Sequence, residues 1–257
     1  MSGSTALVTG ASRGTGRGIA IELARAGANV VLAARNKPSL EEIVAEIEGQ
    51  GGTASAVVAD LASRAGCDAL VAQCGAVDIL VNNAALTTVK MQPTIVPDDA
   101  YWQDSFQLNL WAPLALMQGL CPGMIDRGGG VVINISSTTA QRVVPHYAPY
   151  AASKAALETM SRVAALDMAA QGVRVLCVAL GMTDTEALEE AAASGGTTAG
   201  EMAAQAVPTG RLIDVEEVGR VCAFLASGDA RSITGTVVTI DNAISAGQLH
   251  EAVRIDG

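Results

Sequence analysis

Aromatic residues are nearly missing: two Trp, three Tyr and two Phe in 257 residues. A core of this size must then be built from Ala, Val, Leu and Ile, and half of the residues are hydrophobic. Such a composition fits strands buried on both faces of a parallel sheet, which read as unbroken aliphatic runs. Positive charge is also scarce. Sixteen Lys and Arg against 26 Asp and Glu leave a formal net charge of −10, which argues against nucleic acid or an anionic membrane as the main partner. A local basic pocket for a phosphate stays open. Histidine is limited to His146 and His250, so no histidine-based metal site is expected. The five cysteines, at 67, 74, 121, 177 and 222, are odd in number and lack metal-ligand spacing. They read as reduced thiols of a cytosolic protein. No apolar run approaches the roughly 18 residues of a spanning helix, and no charged-then-apolar leader precedes the first strand. A cytoplasmic protein without metal, membrane or nucleic-acid partner is expected.

What is present is an alternation of strands and helices. Thr5–Thr9 is a short apolar run, followed by a glycine-rich turn and a helical pattern over 16–26. Asn29–Ala34 reads as a strand, 39–48 as a helix with Ser39 as its cap, 53–59 as a strand, 63–73 as a helix and 77–81 as a strand. A long helix is predicted from Pro97 to about Asp126, containing Asn109 and disturbed at Pro113; a strand follows over 130–135. A helix over 149–171, a strand over 173–179, a helix over 215–226 and a strand over 237–241 complete the pattern. This order predicts a single doubly wound α/β domain of the Rossmann type, 1–257, with a mostly parallel sheet of about seven strands flanked by helices. The cofactor half is expected over about 1–135 and the catalytic and substrate half over about 136–257. Residues 182–210, rich in Ala, Gly and Thr, read as a mobile lid with helical pieces.

The first turn, Thr9-Gly10-Ala11-Ser12-Arg13-Gly14-Thr15-Gly16, has a strand, a glycine turn and a helix start in the order that offers unpaired N–H groups to a pyrophosphate. The spacing is G-x-x-x-G-x-G rather than G-x-G-x-x-G, and such a turn can also serve only to pack a helix on a strand. At the end of the second strand, where NAD enzymes usually place a ribose-binding acid, stand Ala34 and Arg35. With Arg13 nearby, a 2′-phosphate is favoured, because guanidinium holds phosphate bidentately. NADP(H) is therefore expected over NAD(H), the alternative being that both arginines are solvated rim residues.

The second informative stretch is Ser136-Ser137 through Lys154. Ser137 precedes Tyr150 by thirteen positions, and Lys154 follows Tyr150 by four, on the same helical face. Reduction of a carbonyl by hydride needs a proton delivered to the oxygen as charge builds there. A phenol with a pKa near about 10 donates well but recharges poorly at neutral pH, and a lysine beside it is expected to lower that pKa. Ser137, at a strand end, can hold the substrate oxygen and the phenol together. Taken alone, Tyr-x-x-x-Lys also describes a packed tyrosine beside a solvated lysine; the serine, the glycine turn and the strand-helix order outweigh that reading.

With these residues in hand, the sequence resembles the short-chain dehydrogenase/reductase family in its single-domain form, from Thr5 to about Asp241. The match runs through TGASRGTG at 9–16, Asp60, Asn82-Asn83-Ala84, Trp102 ahead of Asn109, Ser137, Tyr150 with Lys154, and Ile233-Thr234-Gly235 with Asp241. The resemblance implies that Tyr150 is the general acid for reduction and base for oxidation, that Lys154 holds the nicotinamide ribose, that Ser137 polarises the carbonyl, and that Asn109 positions a proton-relaying water. It also implies cofactor contacts from Gly10, Ser12, Arg13, Gly14, Thr15, Gly16 and Arg35, adenine contacts from Asp60 and Leu61, and ribose-side support from Asn82 and Ala84. Gly181, Thr183 and Thr185 would lie along the nicotinamide. Substrate is expected between the nicotinamide and the 182–210 lid, with His146 and Met182 at its mouth beside Ser137 and Tyr150. Many members are tetramers, so a homo-oligomer, tetramer or dimer, is expected.

Two positions depart from the family pattern. Ala85 stands where a glycine follows Asn-Asn-Ala, and Leu180 replaces the proline before Gly181. Neither removes a chemical group. His146 can be either a substrate contact or a rim residue, and Trp102 and Trp111 read as packing residues. The function expected is NADP(H)-dependent interconversion of a small carbonyl compound and a secondary alcohol. The alternative is a non-catalytic dinucleotide-binding sensor or scaffold on the same fold. An epimerase of the extended relatives is disfavoured, since no substantial substrate domain follows residue 241.

Overall fold

The computed structural model describes residue 1, residues 3–86 and residues 90–247; His250 lies outside them. Seven strands form one sheet: β1 (Thr5–Thr9), β2 (Asn29–Ala34), β3 (Thr53–Val58), β4 (Ile79–Asn82), β5 (Gly130–Ser137), β6 (Val173–Leu180) and β7 (Val237–Ile240). Their order across the sheet is β3-β2-β1-β4-β5-β6-β7, and all six pairings are parallel. Successive strand residues point to opposite faces, and both faces are apolar. Ala6 and Val8 of β1 join one buried cluster and Leu7 the other.

The helices α1 (Gly14–Arg25), α2 (Lys37–Gly49) and α9 (Val215–Ala226) cover the first face. The second is covered by α3 (Arg64–Gln73), α5 (Ala112–Asp126) and α6 (Ala148–Met168). Between β4 and α5 lies α4 (Asp99–Phe106), and between β6 and α9 lie α7 (Glu186–Ser194) and α8 (Ala199–Ala206). None of the described helices is long and apolar enough to cross a membrane.

Several boundaries differ from the sequence reading for identifiable reasons. The helix after β2 starts at Lys37, and its cap is Asn36, whose side chain accepts from the Ser39 N–H at 3.3 Å; Ser39 is thus the capped residue, not the cap. The long helix expected from Pro97 is two helices joined by a π-helical turn over Gln107–Trp111. The backbone stays helical throughout, and the disturbance expected at Pro113 shows itself one turn earlier, because the proline has no N–H to offer the Asn109 carbonyl. The 182–210 segment, weakly patterned in sequence, holds two capped helices. Thr185 accepts from Leu188 N–H at the start of α7, and Thr198 and Glu201 form a capping box on α8.

The crossing of α1 on α9 depends on two glycines. A Cβ at Gly219 would stand 2.5 Å from the Gly18 carbonyl oxygen, and one at Gly18 would stand 2.6 Å from the Val215 oxygen. The helices meet backbone to backbone there. Gly219→Ala is expected to push α9 off α1 and to cost about 1–3 kcal/mol through overpacking. Urea unfolding monitored by circular dichroism checks this; an unchanged midpoint would show that the crossing has slack.

Candidate active site

The strand order reverses between β1 and β4, and a doubly wound sheet takes its ligand outside the C-terminal ends of the strands at that point. Two side chains join the two strand ends. Thr9 Oγ1 donates to the Val81 carbonyl at 3.3 Å and accepts from the N–H groups of Asn83 and Ala84 at 3.0 and 3.1 Å. Asn83 Nδ2 donates back to the Thr9 and Gly10 carbonyls at 3.0 and 3.2 Å. Gly10 has φ +64°, and a Cβ on it would stand 2.8 Å from Ala84 Cα. The turn therefore needs glycine both for its left-handed backbone and for the approach of the β4 end.

Ser12 and Thr15 are half-buried on either side of Arg13, and Gly16 is buried in the first turn of α1. Arg13 opens the helix in extended conformation with no side chain capping it. The first N–H groups and the positive dipole end are thus left for an anion, which is the chemistry a pyrophosphate requires. Arg13 Nη1 pairs with Glu190 Oε1 of α7 at 3.2 Å, both side chains exposed. Arg35, just past β2, is also exposed. Asp60 is exposed and accepts from the Ala62 N–H at 3.1 Å. The Leu61 side chain is buried in the second core cluster, so any contact it makes with a ligand falls to its backbone. Asn82 is buried, and its Nδ2 donates to Asn134 Oδ1 at 2.8 Å while its own Oδ1 has no partner among the described residues.

The reacting groups gather where β5 meets α6. The strand runs two residues further than the sequence predicts, so Ser136 and Ser137 are its last residues. Ser137 is followed by a single 3₁₀ turn over Thr138–Ala140. Thr139 N–H and Oγ1 both donate to Ser137 Oγ, at 3.3 and 3.0 Å, which leaves the serine proton free to point elsewhere. Burial raises the Tyr150 phenol pKa, and the Ser137 hydroxyl beside it offsets part of that rise. Lys154 is buried and donates from Nζ to the Ile135 carbonyl at 2.8 Å. That uses one of its three donors, and the others suit the hydroxyl groups of a ribose.

Charge in this corner differs from the sequence expectation. Burial pushes the Tyr150 phenol above its ordinary value, and the Tyr101 and Tyr147 phenols add to the rise. Burial pushes Lys154 down to about 8. The expectation that Lys154 lowers the tyrosine pKa is thus not met. Lys154 Nζ turns to Ile135 and stands 5.9 Å from the Tyr150 ring centroid, and desolvation outweighs attraction for both groups.

Asn109 is fully buried on the π turn. Its Oδ1 accepts from Leu86 N–H at 3.1 Å, and its Nδ2 donates to Ser153 Oγ at 2.9 Å. Ser153 Oγ in turn donates to the Tyr150 carbonyl at 2.8 Å. Gly181 follows β6 and donates from its N–H to Ile240 at 2.9 Å. Thr183 is buried, bridges to Ile213, and donates to the Gly181 carbonyl at 3.3 Å. These bonds hold the turn that Leu180 leaves without a proline. Met182 is half-buried, and the Thr185 methyl packs against Gly14, joining this segment to the phosphate turn. His146 is exposed, has φ +70°, and its carbonyl accepts from Gln92 N–H at 3.3 Å. Trp102 stacks on Phe106, and Trp111 is half exposed on the outer face, so only the first packs as the sequence predicts.

Comparison with known proteins fits this geometry. Residues 10–245 match the family model described as enoyl-(acyl carrier protein) reductase. The chain is 34% identical to gluconate 5-dehydrogenase of Gluconobacter oxydans over 95% of its length and 96% of the relative's. It is also 34% identical to L-xylulose reductase of Bos taurus over 94% and 96%. The chain belongs to the short-chain dehydrogenase/reductase family. Among solved structures of this family, L-sorbose reductase of Gluconobacter frateurii, complexed with NADPH and L-sorbose, superposes with a TM-score of 0.90. It is 30% identical and covers 96% of this chain and 98% of its own. As a short-chain dehydrogenase/reductase, the protein is an NAD(P)-dependent oxidoreductase.

Sequence reading missed Thr139 and Ser153, which orient the candidate groups. A hydroxyl two residues past a strand-end serine is a local turn signal that could have exposed Thr139. Ser153 needed the π turn, which no periodicity announces.

The depressed lysine pKa has a consequence for stability. Below about pH 8 the buried charge is a cost of folding. Between pH 8 and the unfolded value of 10.5 the unfolded chain binds the extra proton, so stability rises with pH across that window. Against Lys154→Met, the wild type is expected to gain on the order of 3 kcal/mol between pH 7 and 10.5. Urea titrations of both proteins at the two pH values read it, and a pH-independent gap would refute the burial cost.

Proposed function

We propose that the protein interconverts a small-molecule ketone and a secondary alcohol with NADP(H). The observation that carries this is the convergence of Ser137, Tyr150 and Lys154 at the end of β5, on the ligand side of the same sheet as the uncapped start of α1. A bound nicotinamide dinucleotide supplies or takes the hydride. Ser137, with its oxygen occupied by Thr139, donates to the substrate oxygen. Tyr150 gives its phenolic proton to that oxygen in reduction and takes one in oxidation. Lys154 holds the ribose hydroxyls with the Nζ donors that Ile135 leaves free. Asn109, tied to Tyr150 through Ser153, keeps the π turn and α6 in register, so that a water reaching Lys154 can return the proton.

Arg13 and Arg35 would hold a 2′-phosphate, with Ala34 leaving no acid to favour the unphosphorylated ribose. The NADPH in the sorbose reductase complex supports that preference. The polyhydroxylated compounds in the relatives' names direct the first search for substrate. A cytoplasmic homo-oligomer, tetramer or dimer, belongs to the same reading; exposed Val163, Leu166 and Trp111 support self-association.

The test is titration of the purified protein with NADPH and NADH by nicotinamide fluorescence, then absorbance loss with L-sorbose, L-xylulose and a wider ketone panel. NADPH should bind more tightly, and Arg35→Ala should weaken it by about 10–100-fold while leaving NADH unchanged. Tyr150→Phe should lower kcat by roughly 10²–10⁴-fold at constant NADPH affinity. Tighter NADH binding would overturn the phosphate assignment, and undiminished turnover by the phenylalanine variant would overturn the chemistry.

A further inference from the structure

One buried carboxylate holds the strand end that carries Ser137. Glu158 lies on α6, one turn beyond Lys154 and two beyond Tyr150, with its side chain 5% exposed. Its Oε1 accepts from Ser136 Oγ at 2.8 Å and from Gln141 Nε2 at 3.3 Å; its Oε2 receives Gln141 Nε2 at 3.5 Å. Arg162, one turn further, stands 3.5 Å from Oε2. The two donors flank Ser137: Ser136 precedes it on β5, and Gln141 ends the 3₁₀ turn after it. Ser136 bonds α6 directly, while Ser137 is the last residue of β5, at the open end of the strand.

The helix and the strand are thus joined in sequence. Ile135 receives Lys154, and Ser136 donates to Glu158; neighbouring strand residues are attached to successive turns of the helix that bears Tyr150. Removing a carboxylate from water is costly unless charged and hydrogen-bonded partners repay it. Charge-assisted bonds to Ser136, Gln141 and Arg162 supply them here. A carboxylate placed there solely to stabilise the fold would be poorly chosen, since an apolar side chain would serve as well. What it does fix is direction: both ends of the Ser137 segment are set relative to α6.

We infer that Glu158 is a positioning residue, clamping Ser136 and Gln141 so that the Ser137 hydroxyl meets the Tyr150 phenol. This rests on Ser137 and Tyr150 being the reacting pair, but its first test needs neither cofactor nor substrate. The protein has three tyrosines, so tyrosine labelled with ¹³C at Cζ gives three NMR signals, with Tyr150 assigned by its loss in Tyr150→Phe. The charged and titratable groups around the phenol are Tyr101 on α4, Tyr147 just before α6, and Lys154 on α6. Those around Glu158 are Arg162 on α6 and Cys177 on β6.

Glu158→Gln places an amide against the Gln141 amide and is expected to move the Tyr150 titration midpoint to higher pH by about one pH unit. In a Ser137→Ala background it should move nothing further. The exchange variant Glu158→Gln with Gln141→Glu restores complementary donors and acceptors and should recover the midpoint. Ser136→Ala, which leaves the charge in place, should move it in the same direction by less, and it carries the test if Glu158→Gln does not fold. On a ketone that the wild type reduces, Glu158→Gln should lower kcat by roughly 10–100-fold with NADPH affinity unchanged. A wild-type midpoint in Glu158→Gln and Ser136→Ala, or an equal displacement without Ser137, overturns the inference. Absence of any turnover by the wild type, with the NMR result as expected, would overturn the proposed function and leave the clamp intact.

Discussion

The site depends on the junction of β1 and β4. Two strands adjacent in space but far apart in sequence end side by side, and the Thr9 hydroxyl and the Asn83 amide satisfy the backbone groups exposed where the strands separate. Buried backbone donors and acceptors without partners would cost about 1–3 kcal/mol each, so a crevice can open at this point only because side chains close the account. Once the two ends are joined, the start of α1, the segment after β6 and the end of β5 are brought to one edge of the sheet.

The second constraint is the attachment of α6. A helix packed on a sheet through apolar contacts alone has some freedom to slide, because aliphatic surfaces lack direction. Here the packing is interrupted by a polar seam: Asn82 to Asn134, Asn134 to Ser161 at 2.8 Å, Lys154 to Ile135 and Ser136 to Glu158. Each bond has one geometry, and together they fix the rotation of α6 about its axis. That rotation determines where the Tyr150 phenol points. The buried lysine is costly in this frame, which is why its charge is held so weakly.

Much of this could be read from the sequence because it is written locally. Aliphatic runs of five to seven residues mark the strands, and the glycine turn, the Asn-Asn-Ala segment and the Tyr-x-x-x-Lys spacing each have a short-range physical reason. What escaped is not local. Pro113 marks a disturbance in the helix, but the π turn it takes at Asn109 and the bond from there to Ser153 on α6 depend on contacts distant in sequence. Glu158 reads in sequence as an ordinary charged residue at a helix position. Its burial depends on Ser136, 22 residues away. The direction of the Tyr150 pKa was misjudged for a related reason: spacing puts two groups on one face, but only packing reveals how far burial governs their charge.

The scarcity of aromatics has an optical consequence. The two tryptophans, Trp102 and Trp111, bracket Asn109, one within α4 and the other closing the π turn. Intrinsic fluorescence of this protein is therefore no average over the fold. It is a local signal from the bend between α4 and α5, and the sheet, most of the core and the helices α1, α2 and α9 are dark to it. A tryptophan signal that changes while the far-ultraviolet spectrum does not would report movement at that bend, next to the reacting groups, in a molecule otherwise intact.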